Sequence, residues 1–287
     1  MSEPNFKNRT LFHGDNLDFL RAINSECIDL IATDPPFKKG KDFHATPDSL
    51  ADGAKFQDRW RWEHDVQPEW LDQIKDDYPE IWLVIDSANA IHMRKTKKNR
   101  KLPRHEVGSD MGAFLCFMAV RLLEMHRVLK PTGSIYLHCD PTASHYLKLI
   151  MDAIFGKHSM INEMIWYYTN ASRGKYQFAK AHEVILAFSK DAQKKLKYIF
   201  NRQDILADFA SGMTKWRYTK GGQAGKEMPK GKTPDDVIVM PALNSMSKER
   251  TGYPTQKPLA LYKRIIQASS DGGGGLALSP TPVAIHG

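Results

Sequence analysis

Cysteine is scarce: three in 287 residues, Cys27, Cys116 and Cys139, each alone in an apolar setting. So scattered a set builds neither a disulfide framework nor a zinc site, and it suits a reducing compartment. No apolar run approaches the ~20 residues that span a bilayer, and the polar start MSEPNFKNRT lacks the hydrophobic stretch of a signal peptide. These absences make cytoplasm the expected location. Acidic residues are outnumbered, 33 against 41 Lys and Arg, for a formal charge of +8. That surplus suits a polyanionic partner and equally an ordinary soluble surface. The four-glycine run in SSDGGGGLALSPTPVAIHG lacks both a Walker lysine and a following helix, so it reads as linker rather than phosphate loop.

What is present is organised around Asp34-Pro35-Pro36-Phe37. The preceding CIDLIAT, Cys27 to Thr33, predicts a short buried strand that delivers Asp34 to the rim of an α/β sheet, where ligands bind. Two consecutive prolines exclude a helix and remove two backbone donors, leaving an extended loop whose carbonyls are free to accept. An acid, stiff carbonyls and an aromatic ring suit a planar amino-bearing ring. Asp34 and the Pro35 carbonyl accept from its exocyclic amine, and Phe37 stacks on its face. On four residues alone, a rigid strand exit with a buried phenyl is an equal alternative.

Taken in order, Thr10 to His13 predicts a short strand, Gly14-Asp15-Asn16 a turn, and Leu17, Leu20 and Ile23 one face of a helix. Residues 38–62 are polar, turn-rich and dotted with aromatics, hardly a sheet element. There Lys38, Lys39 and Lys41 are available to phosphates, or form a solvated charge run. Trp70 to Met93 has helical spacing with a break at Pro79, and Arg94 to His105 is the densest basic block. Gly112 to Leu129 is a clear amphipathic helix, stopped by the turn Lys130-Pro131-Thr132-Gly133. SIYLH, Ser134 to His138, reads as a second buried strand, and Asp140 or Thr142 as the cap of a helix from Ala143 to Phe155. This repeated strand, loop and helix favours an α/β sheet. Ile161 to Thr169 and His182 to Ser189 follow as strands, with Arg173 and Lys175 between them available to a ligand or phosphate. Residues 190–250 change character, and Lys215 to Lys232 interleaves Trp216 and Tyr218 with Lys215, Arg217 and further bases. Such a run suits a nucleic-acid-reading insertion, or low-complexity linker. In RTGYPTQKP, Pro258 is expected in the first turn of a helix from Leu259 to Ala268, which puts Thr255, Gln256 and Lys257 near a positive helix end, a seat for a carboxylate.

From His13 to Ser270 the chain resembles the site-specific DNA amino-methyltransferases in which the catalytic motif precedes the cofactor-binding glycine motif. The likeness rests on DPPF at Asp34 to Phe37, SIYLHCD at Ser134 to Asp140, HEVILAF at His182 to Phe188 and GYPTQKP at Gly252 to Pro258, four blocks in the family's order. It implies a Rossmann-like sheet with helices on both faces, and methyl transfer from S-adenosylmethionine to an exocyclic amine of a base flipped out of duplex DNA. An Asp at the head of the motif is similar to the adenine-N6 version; the cytosine-N4 version more often begins with Ser. By this likeness Asp34, Pro35, Pro36 and Phe37 are catalytic, while Asp15, Asn16, Asp34, Gln256, Lys257 and Pro258 border the cofactor. Duplex DNA is the implied partner, with a cognate restriction endonuclease as a companion. Residues 1–189 then form the catalytic domain with a basic loop at 38–110, 190–250 the target-recognition region, 251–270 a returning helix and 271–287 an atypical tail.

The tail departs from the family's pattern, in which a strand runs into an Asp-Pro-Phe-x-Gly-x-Gly type loop. The expectation is therefore a sheet incomplete on its C-terminal side, with the strand before Asp34 left as an unpaired apolar edge. A truncated chain of this kind would be nearly inactive, and a DNA-binding remnant without the cofactor loop is the alternative to an enzyme.

Overall fold

The computed structural model describes residues 3–7, 9–10, 12, 14–93, 107–169, 175–191, 197–208, 231–244, 246–270 and, in backbone only, 277–278. Its elements in chain order are α1 (Asn16–Ala22), β1 (Ile28–Thr33), β2 (Phe43–His44), β3 (Lys55–Phe56), α2 (Trp62–Asp65), α3 (Pro68–Asp77), α4 (Pro79–His92) and α5 (Asp110–Val128). There follow β4 (Leu129–Cys139), α6 (Ser144–Phe155), β5 (Met160–Tyr167), β6 (His182–Ser189), β7 (Val237–Val239), α7 (Leu259–Ser269) and β8 (Ala277–Leu278).

Six strands form one mixed sheet in the order β7-β5-β6-β4-β1-β8. β1 runs parallel to β4 and β8, whereas β6 runs antiparallel to both β4 and β5. Alternation along the strands divides the core. Ile135, Leu137 and Cys139 of β4, with Val184, Leu186 and Phe188 of β6, face the layer of α1 and α3 to α6. Tyr136, Ile185 and Ala187 face the other way and pack against Leu261 and Ile265 of α7. This is an α/β Rossmann-like architecture with helices on both faces. Among the described residues no helix is long and apolar enough to cross a membrane.

Local chemistry explains the helix boundaries. Pro79 stands at the first turn of α4, so α3 and α4 meet at Tyr78. The Ser109 hydroxyl accepts from Gly112 N (3.0 Å) and donates to Asn89 Oδ1 (2.9 Å), capping α5 and tying it to α4. A Cβ on Gly112 would lie 1.8 Å from Asn89 Oδ1, so this close helix crossing requires glycine there.

Several expectations are corrected. The stretch read as holding no sheet element contains the β2–β3 hairpin, clamped by Phe43 and Phe56 stacked at 4.9 Å. The turn at Lys130 to Gly133 is instead absorbed into β4 as an irregularity opposite Ile28 to Leu30, where a Cβ on Gly133 would meet the Ile28 and Asp29 carbonyls at 3.0 Å. Neither Asp140 nor Thr142 caps α6 by its side chain; the Asp140 carbonyl takes the Ser144 N–H at 3.0 Å. Pro258 is the N-cap of α7 rather than a first-turn residue. Residues 190–250, read as a separate target-recognition region, give the sheet a strand, because β7 pairs with β5. The outer edge of β1 is not left open either, since Leu30 and Ile31 pair with Ala277 and Leu278. The strand expected at Thr10 to His13 falls partly outside the described residues, and the basic block Arg94 to His105 falls wholly outside them.

His126, on α5, packs edge-on against Phe155 at 4.8 Å. Burial, reinforced by the Lys190 charge, pulls its pKa down to about 4 from 6.5. The unfolded chain then binds more protons than the folded one between those values, so stability falls as pH drops through that window, by at most ~1.4 kcal/mol per pH unit. Urea unfolding of the wild type and H126Q should show this slope in the former and a flatter profile in the latter.

Candidate active site at the sheet rim

β1 ends at Thr33 opposite Leu137 of β4, so the loops after both strands leave the sheet on the same rim. The Lys39 ammonium pairs with the Asp140 carboxylate and joins the two loops directly. Prolines at 35 and 36 give that loop no N–H for its own fixation, so it is anchored just beyond the motif. Asp58 accepts from Lys38 N and Lys39 N, each at 2.7 Å, and from Trp60 Nε1 at 3.2 Å. Lys38 adopts a φ of 59°, a left-handed conformation stabilised by this grip. Burial pushes the Asp58 carboxyl above its ordinary pKa even though these donors oppose the shift.

Beyond Thr33, Asp34 meets a buried cation. Lys257 Nζ stands 3.3 Å from Asp34 Oδ1, 3.4 Å from Glu183 Oε2 and 4.4 Å from the centre of the Phe37 ring. Glu183 Oε2 lies 2.8 Å from His138 Nε2, and the His138 ring sits 5.6 Å from Phe37 and 5.7 Å from Trp166. Burial works to raise the Glu183 pKa, but His138 and Lys257 outweigh it and hold the carboxyl below its ordinary value. Burial and the Asp34 charge push Tyr253 up to about 12. Asp34 Oδ1 is enclosed and makes no aligned hydrogen bond.

Asp34, Phe37, Trp166, Glu183 and Lys257 line a cavity of about 350 Å³ that also takes in Lys39, Lys41, Phe43, Phe56, Arg250 and Gln256. Its lining carries three carboxylates, Asp34, Asp58 and Glu183, against four cations, Lys39, Lys41, Arg250 and Lys257. Such a surface suits a ligand bearing charges of both signs. A second cavity of similar volume, between β5 and α7, is lined by Tyr136, Met164, Ile238 and Ile265 among others and contains none of the candidate catalytic, cofactor or DNA-contacting residues named from the sequence. No cluster of metal-ligating groups occurs among the described residues.

The structure thus brings Asp34, Pro35, Pro36, Phe37, Lys39, Lys41, Gln256 and Lys257 to one cavity. Gln256 acts there as a brace, accepting from Thr251 N at 2.8 Å and donating to the Glu249 carbonyl at 2.9 Å. The start of α7, read as a carboxylate seat, is taken by Glu249, whose side chain accepts from Leu259 N. Asp15 and Asn16 are not among the residues lining the cavity. Asp15 caps α1 and chelates Arg121 Nη2 at 2.7 Å through both oxygens, and Asn16 Oδ1 accepts from Arg121 Nε at 2.8 Å. Lys38 pairs with Asp110 at 2.8 Å, and Lys175 lies 5.2 Å from the Tyr176 ring. Arg173, Lys215 and Arg217 fall outside the described residues. Glu183 and His138 escaped the sequence reading. The signal was period two: Glu183 shares a face with Ile185 and Ala187, and His138 with Tyr136, so each sets a charged or polar group on an apolar face.

A family model described as DNA methylase, covering the N6 and N4 amino-methyltransferases, matches residues 28–276. The chain belongs to this DNA methylase family. It is 27% identical over 266 residues to the DNA adenine methyltransferase YhdJ of Escherichia coli K12, covering 92% of this chain and 68% of that one. It is 26% identical over 255 residues to the Type II methyltransferase M.HpaI of Haemophilus parainfluenzae, covering 88% of this chain and 57% of the relative. Among solved structures, the PvuII DNA methyltransferase (cytosine-N4-specific) aligns over 93% of this chain and 72% of its own, with 13% identity and a TM-score of 0.48. The family match includes DPPF and continues to residue 276, and the chain spans 68% of the length of YhdJ and 57% of that of M.HpaI.

Asp58 gives the loop its shape, so D58A should leave two amide donors without their acceptor and cost about 1–3 kcal/mol. Urea unfolding measures that loss, and hydrogen exchange at Lys38 and Lys39 should accelerate more than exchange in β1. Unchanged exchange at those two amides would show that the loop is held by something else.

Proposed function

We propose that this chain transfers a methyl group from S-adenosylmethionine to the exocyclic N6 amine of adenine in duplex DNA. The observation that carries this reading is Asp34, a carboxylate on the wall of a cavity of about 350 Å³ beside an aromatic ring, with its Oδ1 facing the Lys257 ammonium. An exocyclic amine lone pair is conjugated with its ring and is a poor nucleophile. A carboxylate that accepts one N–H favours the pyramidal geometry in which the lone pair points out of the ring plane, and this interaction grows toward the transition state. Asp34 supplies that acceptor, while Phe37 and Trp166 give the cavity apolar surface.

The lining fits the family's methyl donor. Its mixed charge matches a molecule bearing a sulfonium, an ammonium and a carboxylate, and Gln256 and Pro258 with Asp34 and Phe37 would hold it. When bound, S-adenosylmethionine supplies an electrophilic methyl group on sulfur. Reaching a base inside a duplex requires turning it out of the stack. The cations Lys39 and Lys41 at this cavity, and the exposed Lys175-Tyr176-Gln177-Phe178 stretch that leads into β6 on the same rim, suit phosphate and base contacts. Asp rather than Ser at the head of the motif, and the description of YhdJ as an adenine methyltransferase, support adenine over cytosine. A restriction endonuclease as companion belongs to the same reading.

Calorimetry with S-adenosylmethionine should give binding, and a radiolabelled methyl-transfer assay on mixed-sequence duplex DNA should give N6-methyladenine on nucleoside mass spectrometry. D34A should lower turnover ~10²- to 10³-fold with DNA affinity largely kept. N4-methylcytosine as the product would reverse the choice of base, and DNA affinity without cofactor binding would favour the non-catalytic remnant.

A further inference from the structure

We infer that Lys257 is a positioning residue for Asp34, itself held in place by Glu183 and His138. This rests on the methyl-transfer reading and deepens it, giving roles to Glu183 and His138 and moving Lys257 from the cofactor's border to the catalytic acid.

Three separate parts of the fold converge to make the arrangement. β4 contributes His138 and β6 contributes Glu183, both from the sheet face that packs against α7. Glu183 stands across from Trp166 in the β5–β6 pairing, and Trp166 in turn borders the His138 ring at 5.7 Å. Lys257 comes from the turn leading into α7 on that same face. The Lys257 side chain is 7% exposed and the His138 side chain 2% exposed, so neither drifts among partners at the surface.

The distances say how the array works. Nζ is almost equidistant from the two carboxylates, 3.3 Å from Asp34 and 3.4 Å from Glu183. With Asp34 alone as counter-ion, the ammonium would close to hydrogen-bond length and consume an acceptor lone pair. Glu183, anchored by His138 at 2.8 Å, draws it back to a shared position. Asp34 Oδ1, itself buried, therefore faces a full positive charge that fixes the orientation of the carboxylate, while the side chain keeps 18% exposure on the cavity wall for an incoming amine. The Phe37 ring, 4.4 Å from Nζ, fixes the ammonium from a third side by a cation–π contact. The result is an electrostatic tether that holds one oxygen and aims the carboxylate at the cavity.

The test uses the full chain with K257M, K257R, E183Q, D34N and the double variant D34N/K257M. K257M and E183Q should each lower the single-turnover methyl-transfer rate at saturating cofactor and DNA ~10²-fold, while calorimetric affinity for S-adenosylmethionine stays within about threefold. K257R should recover most of the rate, which a mere packing role would not predict for a bulkier side chain. Thermal unfolding reads the contact independently of activity: K257M leaves two carboxylates without their shared cation, and D34N in that background should raise the midpoint again. A K257M variant that loses cofactor affinity but keeps its rate at saturation would return Lys257 to the cofactor's cradle and overturn the role. So would a midpoint of K257M that D34N does not move. A wild type with neither cofactor binding nor turnover removes the methyl-transfer reading and this role together, whereas an active wild type whose K257M is equally fast overturns the role alone.

Discussion

Parallel pairing between β1 and β4 is the constraint on which the site depends. Strands that run the same way end on the same side, so the acid following Thr33 and the acid following Cys139 are brought to one rim. With the opposite sense of pairing, Asp34 and Asp140 would lie at the two ends of the sheet and the bridge from Lys39 could not form. The antiparallel β6 completes the rim from the other direction: its first residues, rather than its last, arrive there, and they include Glu183.

Among the described residues, charge is buried in company. Arg121, whose pKa burial pulls down to about 10, is held by both oxygens of Asp15 and by Asn16. Asp29 of β1 is met by Lys130 at 2.8 Å, and Asp58 is met by backbone amides and an indole. Desolvating such groups is costly, so each pairing restricts the chain to arrangements that preserve it. The cluster at the cavity differs: Lys257 is close to both Asp34 and Glu183, but Asp34 Oδ1, Glu183 Oε2 and His138 Nε2 all lack an aligned hydrogen bond.

Much of the fold was legible because periodicity carried it. CIDLIAT, SIYLH and HEVILAFS became β1, the inner part of β4, and β6, and the long amphipathic run became α5. Pro79 marked the break between α3 and α4 because it fits only a first turn. The misses share a different cause. β2, β3 and β7 are two or three residues long, too short to show a period, and exist because Phe43 finds Phe56 and because β5 offers an edge. In the site, DPPF was readable from chain stiffness and chemistry. The roles of Glu183 and His138 depend on which strands become neighbours, which no single segment encodes.

The segment from Glu249 to Leu259 closes on itself: Gln256 bonds Thr251 and the Glu249 carbonyl, and the Glu249 side chain accepts from the first amide of α7. Lys257 rides on that closed segment. Glu249 also stands next to Arg250, the last residue of the stretch 190–250 that the family resemblance marks for target recognition. A displacement that reaches Glu249 is therefore passed along a hydrogen-bonded segment, not along slack chain, to the cation beside Asp34.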